Sequence, residues 1–177
     1  MNDATIVTEG GRPAVRLERH LPDPPSVVWE ALTDREQLRR WFPCDVIVAS
    51  GIWEAGASLS FPFPPDVIDM TLIGEVLTVD KPARLTFTWG EEVLRFELSP
   101  EDGGTRLVLF NELPPNAAAR NAAGWDDCLD RLMGLSPAPD TWRVAIRNLL
   151  GDIRTSPGTS RGSASRPQGR EPLNRAV

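Results

Sequence analysis

Apolar and polar residues alternate along 15–21, Val-Arg-Leu-Glu-Arg-His-Leu, the pattern of a strand with one face on a core. Pro22, Pro24 and Pro25 end it, and proline is tolerated in the first turn of a helix, so Ser26 or the prolines open one. Its apolar stripe is Val27, Val28, Ala31 and Leu32. Thr33-Asp34 interrupts that stripe and caps a second short helix, Arg35 to Trp41, with Glu36 early in its first turn. Six strands are then predicted near 44–49, 57–62, 70–79, 84–90, 92–99 and 104–112. Between them stand the turn signals Ser50-Gly51, Phe63-Pro64-Pro65-Asp66, Asp80-Lys81-Pro82, Trp89-Gly90 and Glu101-Asp102-Gly103-Gly104. The last tolerates positive φ and reads as a hairpin turn. Strands joined by such short turns are antiparallel neighbours.

Pro114-Pro115 stops the strand pattern, and from Asn116 the period changes to 3.6. Ala118, Ala122, Trp125, Leu129 and Leu132 fall on one stripe, with Asp126, Asp127, Asp130 and Arg131 on the other side. Ser136-Pro137-Ala138-Pro139 breaks this helix. Asp140 caps a further one, over 140–153, whose apolar side is Trp142, Ile146, Leu149, Leu150 and Ile153. An amphipathic helix must bury its stripe, and the large surface left for it is the concave face of the sheet. The prediction is therefore a two-layer α+β domain, a curved antiparallel sheet wrapped around a long C-terminal helix, over residues 12–153.

Period-2 parity gives that concave face its chemistry. Leu85, Phe87 and Trp89 share a side, as do Leu94, Phe96 and Leu98, and Leu107, Leu109 and Asn111; Trp125 and Leu129 face them from the helix. Such a set is either a packed core or the lining of an apolar ligand space. Arg19 has inward parity and wants a carboxylate or ligand partner. Arg95 and Glu97 have the parity opposite to Phe96 and are expected outside.

Composition narrows the function. The net charge of −6 and pI near 4.9 argue against nucleic-acid or anionic-membrane binding, which needs a basic face. No apolar run approaches the length that spans a bilayer, and residues 1–11 lack the pattern of a signal peptide. With two cysteines, Cys44 and Cys128, reduced thiols in the cytoplasm are the simplest expectation. Residues 154–177, rich in Ser, Gly, Arg and Pro, carry too little apolar surface to offset the entropy of ordering and read as a disordered tail.

Catalytic patterns are scarce. His20 is the single histidine, and its parity points it outward, away from any triad. The cysteines have no CxxC spacing, Asp126-Asp127 and Glu91-Glu92 read as solvated surface, and no metal or cofactor motif is present. The chain has no tyrosine to act as a phenolic acid.

Five phrases, taken together and in order, resemble the activator-of-heat-shock-protein-90-ATPase homologue family of the START-like superfamily. They are Pro24-Pro-Ser-Val-Val-Trp-Glu-Ala-Leu-Thr-Asp34; Leu38-Arg-Arg-Trp-Phe42; the run from Gly74 to Trp89; Gly104-Thr-Arg-Leu-Val-Leu109; and Gly124-Trp-Asp-Asp-Cys-Leu-Asp-Arg-Leu132. The resemblance runs from about residue 14 to 135 and implies the helix-grip fold. The short Pro-rich loop at 62–65 and the additional helix at 140–153 depart from it. Trp41 and Phe42 resemble the family's cavity-mouth aromatics; a hydrophobic plug between helix and sheet is the other reading of them. The expected ligand-cavity set is Arg19, Trp41, Phe42, Phe61, Phe87, Trp89, Phe96, Leu109, Trp125 and Leu129. Three functions are weighed. The first is a non-catalytic module binding a hydrophobic small molecule or lipid-like ligand between sheet and helix. The second is a co-regulator docking on a chaperone ATPase. The third is a cyclase- or hydrolase-like enzyme. A monomer and a homodimer are both compatible with the sequence.

Overall fold

The computed structural model describes residues 4–9, 11–113, 118–134 and 139–150, with the side chains of 9, 118–120, 139–143 and 148 left out of the description. The tail, Ile153, and the side chains of Ala118 and Trp142 lie outside it. The strands are β1 (Ala4–Glu9), β2 (Arg12–Leu21), β3 (Ile47–Val48), β4 (Ser58–Pro62), β5 (Thr71–Asp80), β6 (Arg84–Trp89), β7 (Glu92–Glu101) and β8 (Gly104–Glu112). The helices are α1 (Pro25–Thr33), α2 (Arg35–Trp41), α3 (Ala118–Leu132) and α4 (Pro139–Leu150).

The alternation in β2 does what its pattern requires. Val15, Leu17, Arg19 and Leu21 are buried, and His20 is exposed. Pro25 occupies the first turn of α1, and Asp34 caps α2 by accepting from the Gln37 amide at 2.9 Å. The eight strands form one sheet in the order β1-β2-β8-β7-β6-β5-β4-β3, every neighbour antiparallel. Asp102 and Gly103 take positive φ, 48° and 82°, in the β7–β8 turn.

Curvature comes from β5. Its register against β6 shifts between Val76 and Thr78, the signature of a bulge, which bends and twists a strand. Just before the bulge, a Cβ on Gly74 would stand 2.0 Å from the Thr88 carbonyl oxygen and 2.9 Å from Phe61 Cε2. Only glycine lets the backbone of β5 pass that close.

Helix α3 buries Trp125, Cys128 and Leu129 completely. Helix α4 packs against α3 at Gly124, where a Cβ would lie 2.6 Å from Leu149 Cγ. Ala145, Ile146, Leu149 and Leu150 form the buried side of α4.

Two elements differ from the expectation. β1 is an added strand, registered from Ala4 opposite Leu17 to Glu9 opposite Arg12. It shows no clean alternation, because it lies at the sheet edge with Ile6 65% exposed. The strand expected at 44–49 shortens to Ile47–Val48 at the opposite edge.

Candidate functional site

The concave face is an aromatic cluster. All ten residues of the expected set are buried, 0 to 3% exposed. Phe42 is its hub: its ring centroid lies 5.5 Å from Trp41 and from Trp125, 6.2 Å from Trp89, and 6.3 Å from Phe61 and from Phe87. Phe87 stacks on Phe61 at 5.9 Å and on Phe96 at 6.1 Å, and Trp89 meets Trp125 edge-on at 5.6 Å. These are contact spacings for aromatic pairs. The rings themselves therefore occupy the middle of the space between sheet and helix that the sequence assigns to a ligand.

Open volume lies at the rim. A cleft of about 360 Å³ is lined by Arg39, Phe42, Pro43, Cys44, Asp45, Pro62, Phe63 and Pro64. Phe42 is thus both the hub of the interior and a wall of this cleft, and Phe63 stands 6.0 Å from Trp89. Pro62 and Pro64 line one wall, and Pro43, next to Phe42, lines the other. A second cleft, about 340 Å³, lies on the far side of α2, between Leu38, Val46, Val48 and Trp53.

Charge at the first cleft is paired internally, two arginines sharing Asp45 and Glu36 accepting from Arg39 Nη1 at 2.7 Å. Asp45 accepts from Arg35 Nε and Nη2 at 3.0 and 2.6 Å, and from Arg39 Nε and Nη2 at 3.2 and 3.0 Å. The Arg35 hydrogen bond, with that of Arg39 behind it, holds the Asp45 carboxyl far below its ordinary value. Burial pushes the Cys44 thiol well above the usual thiol range, and Cys128 likewise, so neither is an activated nucleophile.

Arg19 finds carboxylates. It pairs with Asp126 and, at 3.6 Å, with Asp130, both on α3. It ties helix to sheet and does not present itself to the cleft. Asp126 is open to solvent, as expected of Asp126-Asp127, and is an ion-pair partner as well; Asp127 in turn accepts from Arg131 at 3.3 Å. Arg95 lies on the outer face, as expected, with its guanidinium 4.1 Å from the Phe110 ring centroid.

Glu92 corrects the sequence more sharply. Expected at the surface, it is 3% exposed, because the parity of Leu94 and Phe96 continues back through it. Its Oε2 accepts from Asn111 Nδ2 at 3.0 Å, and Asn111 Oδ1 accepts from the Trp125 indole N–H at 2.8 Å. Asn121, one helical turn before Trp125, is fully buried, with no hydrogen-bond partner for either amide atom among the described residues.

Among the described residues no group of three His, Cys, Asp or Glu side chains is placed to hold a metal ion. No described helix is long and apolar enough to cross a membrane.

A curved antiparallel sheet gripping a long helix over an aromatic interior defines a START-like helix-grip domain. Residues 23–136 match the family model AHSA1, Activator of Hsp90 ATPase homolog 1-like protein, and the chain belongs to that family. Among solved structures, the fold is similar to CalU16 from Micromonospora echinospora (TM-score 0.64, 21% identity, 87% of this chain and 96% of that one). It is also similar to EF2215 from Enterococcus faecalis, a protein of unknown function (0.63, 21%, 86% and 91%). DynU16, from the dynemicin biosynthetic locus, is 27% identical over 68% of this chain and 46% of its own, with a TM-score of 0.57. Among curated proteins none matches by sequence.

Proposed function

We propose that the domain is a binding module for a small, largely apolar molecule, taken at the cleft between the α2–β3 connection and the β4–β5 loop. The observation that carries this reading is the position of Phe42, which lines the cleft and at the same time touches Phe61, Phe87, Trp89 and Trp125. A ligand on Phe42 and Phe63 rests on a deep apolar layer, and a cleft near 360 Å³ suits a molecule of one to three rings. Burial of its apolar surface, at roughly 25 cal/mol per Å², supplies the affinity. The titratable pair at the rim, Arg39 and Asp45, is already satisfied, which favours binding over catalysis.

Titration with the neutral fluorophore N-phenyl-1-naphthylamine tests this. Saturable one-to-one enhancement is expected in the native chain and is lost when P64W fills the cleft mouth. Absence of saturable enhancement in the native chain removes the reading. Native mass spectrometry of gently purified protein reports any molecule already carried.

The family description favours a second reading, docking on a chaperone ATPase. A pull-down paired with an ATPase assay decides it; unchanged turnover across a wide range of protein concentration eliminates it.

A further inference from the structure

Polar side chains enter the interior at two places, Arg19, which is paired with carboxylates of α3, and the end of the sheet that holds Glu92 and Asn111. α3 lies over β2 and runs antiparallel to the direction of β8: Trp125 reaches across to bond Asn111, while Asp126 and Asp130 further along reach Arg19, which is registered against Leu107. One turn back from Trp125, Asn121 therefore lies beyond Asn111, toward the Leu113 end of β8. Glu92 belongs to the same end, since the next residue of β7, Val93, is registered against Glu112. One carboxylate and two carboxamides thus converge on one pole of the hollow, each no more than 3% exposed. Asn111 is oriented by Glu92 on one side and Trp125 on the other. Asn121, with an N–H₂ donor and a carbonyl acceptor, has no partner among the described residues.

A buried amide without a partner lowers stability, and an apolar side chain of the same shape would not. Of the other buried polar side chains, Arg19, Thr105, Glu92 and Asn111 each have a partner. Resting on the cleft reading above, we propose that this pole is the recognition end of the ligand site, with Asn121 taking an uncharged group that both donates and accepts, a hydroxyl or a primary amide. The apolar body of the ligand lies against Phe42 and Trp89, the rings between cleft and pole, and Phe42 swings aside to admit it. A ligand lacking the polar group leaves the Asn121 amide unanswered and binds more weakly.

The test titrates the full chain with naphthalene and with 2-naphthol, read from the indole N–H resonances of its six tryptophans. In the native protein 2-naphthol is expected to bind about tenfold tighter than naphthalene, with the Trp125 indole resonance moving. In N121L the two probes come within about twofold of each other, naphthalene binds as in the native chain, and Tm is equal or higher. N121A carries the same comparison if N121L does not fold. Equal affinity for the two probes in the native protein, or discrimination that survives in the variant, overturns the inference and leaves the cleft reading standing. No saturable binding of either probe overturns both.

Discussion

Single polar groups placed among rings set several expectations. The Trp125 indole N–H satisfies Asn111 Oδ1 at full burial, so W125F leaves that carbonyl half-unpaired and also trims the ring. A loss of about 1–3 kcal/mol in urea-denaturation stability is expected. Arg19 gives an ordered pair of outcomes. Replacing both carboxylates, in D126N/D130N, strands a guanidinium that is 2% exposed and is expected to cost about 3–5 kcal/mol. R19M falls well short of that, since Asp126 is 38% exposed and can hydrate. At the surface, hydrogen bonds from Arg106 and then Arg16 lower the Glu18 carboxyl from its ordinary value to about 2. A carboxyl lowered in the folded state stabilises above its unfolded value, near 4.5, and that contribution disappears as pH falls from there toward 2. Urea midpoints of E18Q should therefore fall less steeply than those of the native chain between about pH 5 and pH 2. The difference should be about 1 kcal/mol or less at this partly exposed site, and should shrink with salt.

At the scale of elements, most of the frame is legible in the chain, for definite reasons. Turn chemistry such as Asp102-Gly103 and the parity of Leu85-Phe87-Trp89 are local, and both reappear intact. β1 was invisible because an edge strand with exposed Ile6 has no face that must be buried. Glu92 defies its local signal: a pair of adjacent glutamates suggests water, while its own parity with Leu94 points inward. Of the expected site residues, Phe42 alone lines the cleft; Pro43, Cys44, Asp45, Pro62, Phe63 and Pro64 complete its floor and rim with Arg39. The one signal for them in the sequence is the Pro-rich 62–65 loop, a departure from the family pattern. Close approach is the other thing that sequence does not encode plainly. Gly124 looks like a weak point in a helix, yet α4 needs it, and G124A should force Leu149 aside at a cost of about 1–3 kcal/mol. Thermal unfolding of G124A against the native chain measures this.

For the molecule as a whole, the question left by parity was whether inward aromatics line a hollow or fill it. Parity fixes direction but not the distance between layers, which depends on side-chain volumes summed across sheet and helix. Here Phe42 closes the centre, and it is the ring whose removal should join cleft and interior. F42A is expected to lose about 3–5 kcal/mol and to gain saturable binding of benzene, detectable by ligand NMR. Loss of stability without benzene binding would mean that the neighbouring rings collapse into the space.

The seating of β2 between β1 and β8 has a consequence for how the polypeptide is born. Its outer neighbour is adjacent in the chain, but Val15 waits for Asn111 and Leu21 for Thr105. A ribosome must deliver nearly the entire domain before the first hairpin acquires its second partner. Until then the emerging segment carries a row of unanswered amides and an unsheltered Arg19. Slow assembly follows from that single adjacency.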